Sequence, residues 1–273
     1  MKLRPGALIL NAVLIGGAFL TVAPLLWMLS ASLMPTGQAN TSPPPLLPSR
    51  VTFEHYVELF THLNLAQSFA NSLLVSVVGT LATLVTSSMA GYAFAKLRFP
   101  GREALFRLLL TAMLVPAQVG MLPLFLMLKK LGLVNTYGGV IVPAMASIFG
   151  IFLVRQYALS VPDDLLEAAR LDGANELRIF RSVIVPVLRP IVVTLALFTS
   201  LGTWNDFMWP LIVLSDSERY TLPVALASLS REHVQDNELM MAGAVLTTLP
   251  VLLVFLALQR YYVQGITMGS VRG

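Results

Sequence analysis

The sequence predicts an all-α integral membrane protein with six transmembrane helices and both termini cytoplasmic. Three observations carry this. Only 12% of the residues are charged, about half of the ~25% of soluble domains, and 56% are hydrophobic. So little charge cannot solvate the surface of an ordinary globular chain. Apolar runs near or above the ~20 residues that cross a bilayer core occur six times. Finally, 13 of the 18 basic residues fall on alternate connections of one side, which the positive-inside rule assigns to the cytoplasm. The same figures exclude a disordered chain, a basic nucleic-acid-binding protein and a soluble enzyme of normal composition. The isoelectric point near 9.6 reflects a net +4 spread over an oily chain, not a basic patch. With no cysteine there is no disulfide, thiolate nucleophile or thiolate metal site. His55, His62 and His233 are scattered, and no metal centre is expected.

In chain order the apolar runs are 7–33, 68–95, 104–128, 137–154, 187–214 and 240–262. Most contain Gly or Pro, such as Gly16, Pro24, Gly79, Pro116 and Pro123. Membrane helices tolerate these because neighbours re-satisfy the freed backbone. The first run is too long for a signal-peptide core and lacks a clear small-residue cleavage site, so an uncleaved first helix is expected. Barrel strands of about ten alternating residues do not fit runs that are apolar all round. Gly79 and Gly91 each suit close approach of a neighbouring helix.

Three connections stand out. The first outer one, 34–67, opens Pro-rich and is expected to run as extended polyproline-like chain. The amphipathic stretch 52–60 then predicts a short surface helix. The cytoplasmic connection 155–186 is too polar for lipid. Ser160 is placed to cap a helix opening with Pro162, Asp163 and Asp164, where proline and carboxylates suit the first turn. Leu165, Leu166, Ala168 and Ala169 give it an apolar, small-residue surface. Gly173 suits a left-handed ending. A second short helix carries Leu177, Phe180 and Ile184, stopped by Pro186. The third connection, 215–239, is polar, net acidic and expected to be exposed.

In the cytoplasmic connection, Glu167-Ala168-Ala169, Gly173 and Val183-x-Val185-Pro186 resemble the E-A-A-x3-G-x9-I-x-L-P motif of importer-type ABC transporter permeases. The spacing matches throughout, and valines replace Ile and Leu. Further blocks resemble the carbohydrate importers of that family. They include Leu114-Val115-Pro116-Ala117-Gln118, Trp204-Asn205-Asp206, Tyr220-Thr221-Leu222-Pro223 and the Gly-rich tail from Gln264 to Gly273. The chain is similar over nearly its whole length to the smaller permease subunit of a maltose-type importer.

The resemblance implies a type I ABC importer permease fold. Residues 1–66 would hold the first helix and outer loop, and 67–273 the five-helix core with its coupling loop at 155–186. It implies a multi-pass protein of the cytoplasmic membrane that translocates a sugar, oligosaccharide, polyol or glycerol phosphate. Glu167, Ala168, Ala169, Asp172 and Gly173 would couple it to an ATPase subunit. The implied partners are a second homologous permease, two ATP-binding subunits, an extracytoplasmic solute-binding protein and lipid, with no nucleic acid. The chain has no G-x4-G-K-[ST] loop. ATP and Mg would therefore sit on the partner ATPases, with no cofactor and no catalytic residue here. The tail after Tyr262 would touch those ATPases, and 215–239 would reach the binding protein. Asp206 is the one carboxylate in the runs, so it should face protein or water. With Trp204 and Asn205 it offers either a wall of the substrate path or a structural hydrogen-bond cluster. An ion-coupled secondary transporter is the alternative, though that class usually shows paired repeats and several embedded ionisable groups.

Overall fold

The computed structural model describes residues 5–61, 63–232 and 236–267, and all its regular elements are helical. The helices are α1 (Pro5–Ala31), α2 (Glu54–Thr61), α3 (Leu65–Lys96), α4 (Arg102–Ala112), α5 (Ala117–Lys130), α6 (Tyr137–Met145), α7 (Ile148–Ala158), α8 (Asp163–Leu171), α9 (Glu176–Ile179), α10 (Val185–Trp204), α11 (Met208–Val213), α12 (Leu222–Glu232) and α13 (Asn237–Thr267). A π turn, Phe180–Ile184, joins α9 to α10. His62, His233 and the tail residues 268–273 lie outside the described residues.

Five stretches are long and apolar enough to cross a bilayer: Leu10–Ala31, Leu65–Lys96, Tyr137–Ala158, Glu176–Trp204 and Asn237–Ala257. The expected span 104–128 is not one straight helix. It is α4 and α5, bent by 105°, because Pro116 drives the residue before it out of the helical region. Taken together, the bent pair is long and apolar enough to bring the count among the described residues to six. The expected stop at Pro186 is also absent. Pro186 is the second residue of α10, and the helix runs through it without a break. The π turn carries the helix into it, with the Val185 N–H donating to the Phe180 carbonyl.

The chain divides into two compact units. The first comprises residues 1–66 and 225–250. Its Pro-rich segment does not run free as extended chain, because side chains near the end of α1 take its carbonyls. Trp27 Nε1 donates to the Pro45 carbonyl at 3.1 Å and Ser30 Oγ to Leu46 at 2.6 Å. The expected surface helix forms as α2. It is fastened by Tyr56 Oη to Ser32 Oγ (2.8 Å) and by His55 Nε2 to the Met34 carbonyl (2.9 Å), over a buried Leu59. Glu238, in the first turn of α13, is fully buried and accepts the Ala39 N–H at 2.6 Å.

The second unit comprises residues 67–224 and 251–273. Here α3 packs tightly on α7. A Cβ on Gly91 would meet Val154 Cγ1 at 2.6 Å, and one on Gly150 would meet Ser87 Oγ at 2.4 Å. Gly91 is thus needed for close approach, whereas Gly79 meets only an ordinary contact at 3.7 Å. The span Tyr137–Ala158 breaks between α6 and α7. Two hydroxyls of α3 accommodate the break: Thr83 donates to the Ala144 carbonyl at 3.0 Å, and Thr86 to that of Met145. Hydroxyls re-satisfying freed backbone is how a membrane span tolerates such an interruption. The region 215–224 is not a loose polar loop. Leu222 and Val224 are fully buried at the start of α12. Buried Asn71 donates to the Glu218 and Tyr220 carbonyls and accepts from Tyr137 Oη.

Candidate functional site

The coupling segment is built from its ends inward. Helical turns continue from α7 to Ala158, and Ser160 Oγ donates back to the Tyr157 carbonyl at 2.7 Å. Ser160 therefore closes α7 and does not cap α8. Pro162 occupies the N-cap of α8 with no side-chain cap bond. A side chain from α3 tethers the start of α8 without capping it: Lys96 Nζ donates to the Val161 carbonyl and to Asp163 Oδ1, each at 2.6 Å. That ammonium holds the Asp163 carboxyl below the usual aspartate range, chiefly through its hydrogen bond. The C-terminus of α8 follows the sequence. Gly173 lies at φ +79°. Its N–H bonds the Arg170 carbonyl, and the Ala174 N–H bonds that of Ala169, both at 3.0 Å. These two bonds define a Schellman motif. A Cβ on Gly173 has open space, so only its backbone angle demands glycine.

Leu166 is 2% exposed and seats α8 in one core with Tyr92, Val154, Ala158, Ile179, Ile184 and Leu188. Ala169 and Ala174 pack against the same core. The opposite stripe is Asp164, Glu167, Ala168 and Leu171, at the i, i+3, i+4, i+7 spacing of one helix face. All four are exposed, and Leu171 is 89% exposed. Asp172 and Gly173 are exposed beyond it. Of the sequence-predicted coupling residues, Glu167, Ala168, Asp172 and Gly173 therefore face outward, and Ala169 faces the core. Leu171 was missed. Its signal was present, an apolar residue opposite the stripe that Leu166 buries.

A second tether joins the segment to the spans. Tyr92 Oη of α3 donates to Glu176 Oε2 at 2.7 Å, and Arg170 Nε to Glu176 Oε1 at 2.9 Å. Arg170 is held more basic than usual, first by that bond. Asn175 caps α9 by accepting the Arg178 N–H at 2.9 Å.

The residues at the end of α10 do not act together. Trp204 is buried and meets Phe69 edge-on, with ring centroids 5.5 Å apart. Asn205 is exposed, and its Nδ2 donates to the Leu201 carbonyl at 2.8 Å. Only Asp206 lines a cavity, of about 520 Å³. Its Oδ1 accepts the Trp209 N–H at 3.4 Å, and Trp209 Nε1 donates to the Gly139 carbonyl at 3.1 Å. The remaining polar lining is hydroxyls of Thr83, Ser147, Thr199 and Thr203, beside the aromatic rings of Phe149, Phe198 and Trp209. No lining residue is basic among those described.

Apolar spans, a capped helix presented outward and a lined cavity define a membrane transport subunit. The chain belongs to the family of binding-protein-dependent transport system inner membrane components, whose model matches residues 83–268. It is 39% identical to the arabinooligosaccharide transport system permease AraQ of Halalkalibacterium halodurans, over 94% of this chain and 93% of that one. It is 35% identical to the lactose transport system permease LacG of Rhizobium radiobacter, over 93% and 92%. The fold matches a chain of a bacterial ABC transporter involved in import of the acidic polysaccharide alginate. That match has a TM-score of 0.83 and 27% identity, and covers 93% of this chain and 95% of that one. The chain is thus a multi-pass inner-membrane transport component of the ABC importer type, not an enzyme. No finding favours the ion-coupled alternative.

Proposed function

We propose that this chain is the permease subunit through which an ABC importer moves a neutral oligosaccharide into the cell. Hydrolysis of ATP on two separate subunits, which carry ATP and Mg, drives the movement. A second homologous permease completes the pathway, and an extracytoplasmic solute-binding protein delivers the cargo. The observation that carries this reading is the division of α8 into two faces. One is buried by Leu166 among the spans, and the other presents Ala168 and Leu171 outward. A small residue beside an exposed apolar one suits a groove on a docked ATPase. Closure of the ATPase pair then biases the spans because it docks better against one of their arrangements.

The cargo class rests on the cavity and on the relatives. Several of them are named as permeases for neutral sugars. The cavity sets hydroxyl-bearing side chains and aromatic faces beside one carboxylate. That lining suits sugar hydroxyls, and Asp206 would repel a uronic acid.

The test is Ala168→Arg in the assembled importer. The substitution leaves the buried face of α8 untouched. Membrane insertion is expected to be unchanged, while ATPase retention on washed membranes falls at least about ten-fold, the scale of a charge forced into an interface. Unchanged retention with unchanged uptake overturns the docking assignment.

A further inference from the structure

We propose that His55, Glu58 and Asp236 form a binding site for a divalent transition-metal ion of the zinc class, fastening α2 to the start of α13. All three belong to the first unit. One ligand atom from each lies within 4.8 Å of the other two. His55 and Glu58 are three residues apart on α2 and so share one face of it. Asp236 immediately precedes α13, where its Oδ1 accepts the Leu239 N–H at 2.8 Å. That bond orients the carboxylate without exhausting its acceptor capacity.

The imidazole is prepared for a metal in a way surface histidines are not. His55 is 1% exposed, and its Nε2 lies 2.9 Å from the Met34 carbonyl. A carbonyl only accepts, so Nε2 carries a hydrogen, and a metal would take the lone pair of Nδ1. A ligating histidine whose other nitrogen donates to a backbone carbonyl is the usual outer-shell arrangement of protein metal sites. Glu58 and Asp236 are half-buried. None of the ion pairs among the described residues uses either of them.

The donor set decides the ion. Calcium and magnesium sites are built from oxygen donors. One imidazole and two carboxylates, with water at a fourth position, match zinc and its first-row neighbours. Three separated segments meet there: the Met34 backbone behind His55, the helix α2, and the cap of α13. A bound ion would hold them as one piece. With the amino terminus cytoplasmic, the end of α1 and the start of α13 face outward, on the side where a binding protein arrives.

The test uses the whole importer, purified without nucleotide and stripped with EDTA. Zinc chloride is titrated by calorimetry, and retained metal is counted after gel filtration. The variants are Glu58→Gln, Asp236→Asn, which keeps the helix cap, and His55→Gln, which keeps a donor for the Met34 carbonyl. One zinc ion per chain is expected in the parent, and at least about ten-fold weaker binding in each variant. The parent alone should gain thermal stability with zinc. Cobalt should give a ligand-field absorption band in the parent that Glu58→Gln loses. Absence of saturable binding, equal binding by parent and variants, or equal affinity for calcium each overturns the proposal. An unchanged gel-filtration profile for Glu58→Gln separates lost binding from lost folding.

Discussion

The segment 155–186, proposed to couple, and the cavity beside Asp206, proposed to meet the cargo, occupy the same unit and are built on opposite plans. In the coupling segment, the polar groups that face the spans are paired into them. Lys96 holds Val161 and Asp163, and Tyr92 and Arg170 share Glu176. Its apolar side chains enter a continuous core through Leu166. In the cavity, one carboxylate and a few hydroxyls line the wall among apolar groups, and the hydroxyls of Thr83 and Thr203 bond only to nearby backbone carbonyls. Under the proposed function, the difference fits two separate jobs. A segment that must transmit a push is tied rigidly to what it moves. A surface that must release its cargo binds through a few weak, exchangeable contacts.

That contrast can be broken from the coupling side first. Leu166→Ala should have the largest effect, costing about 2–5 kcal/mol of local stability by leaving a cavity under α8. ATPase subunits should hydrolyse ATP without uptake, and amides of 163–174 should exchange faster in hydrogen-exchange mass spectrometry. Unchanged exchange there would show that α8 is held by something other than its core. Tyr92→Phe is milder. It removes one hydrogen bond to a charged acceptor, about 1.5–3 kcal/mol. The ratio of sugar imported to ATP consumed should fall while subunit assembly persists. A normal ratio would mean that Glu176 needs only Arg170.

The smallest effect concerns pH. The Asp163 carboxyl titrates below its ordinary value because Lys96 favours the charged form. Its contribution is therefore complete above the unfolded aspartate pKa of about 3.9, and is lost as pH falls through the lowered value. Between about pH 5 and 8 the tether should be constant. Asp163→Asn should change coupling by one factor across that window. A factor that drifts with pH inside it would show that another group controls the tether.

Local rules made part of this legible in sequence. The carboxylates opening α8 and the left-handed Gly173 follow from helix-end chemistry, which depends on neighbours in the chain. Asp206 could be placed at a cavity or against protein because lipid penalises its charge. What stayed hidden depends on distant partners. Ala168 and Ala169 are chemically identical in sequence, and only the position of the core tells them apart. Ser160 had the right residue type for a cap, but a closer carbonyl, that of Tyr157, claimed it. The role of Asn71 in holding 218–220 had no sequence signal, because apart from Gln67 its partners lie 66 to 149 positions away. Glu238 escaped notice because the last apolar run begins two residues after it.

The π turn at Phe180–Ile184 has a consequence in helical phase. Ile179 and Ile184 are both fully buried in one core. On an α-helix, residues five apart point about 140° away from each other. The wide turn takes up one residue of winding and brings the two side chains back to one side. Ile184, Leu188, Ile191 and Leu195 then continue that side along α10 at ordinary spacing. The added residue works as a phase corrector: it lets the short α9 and the long α10, wound from the same chain, keep a single seam.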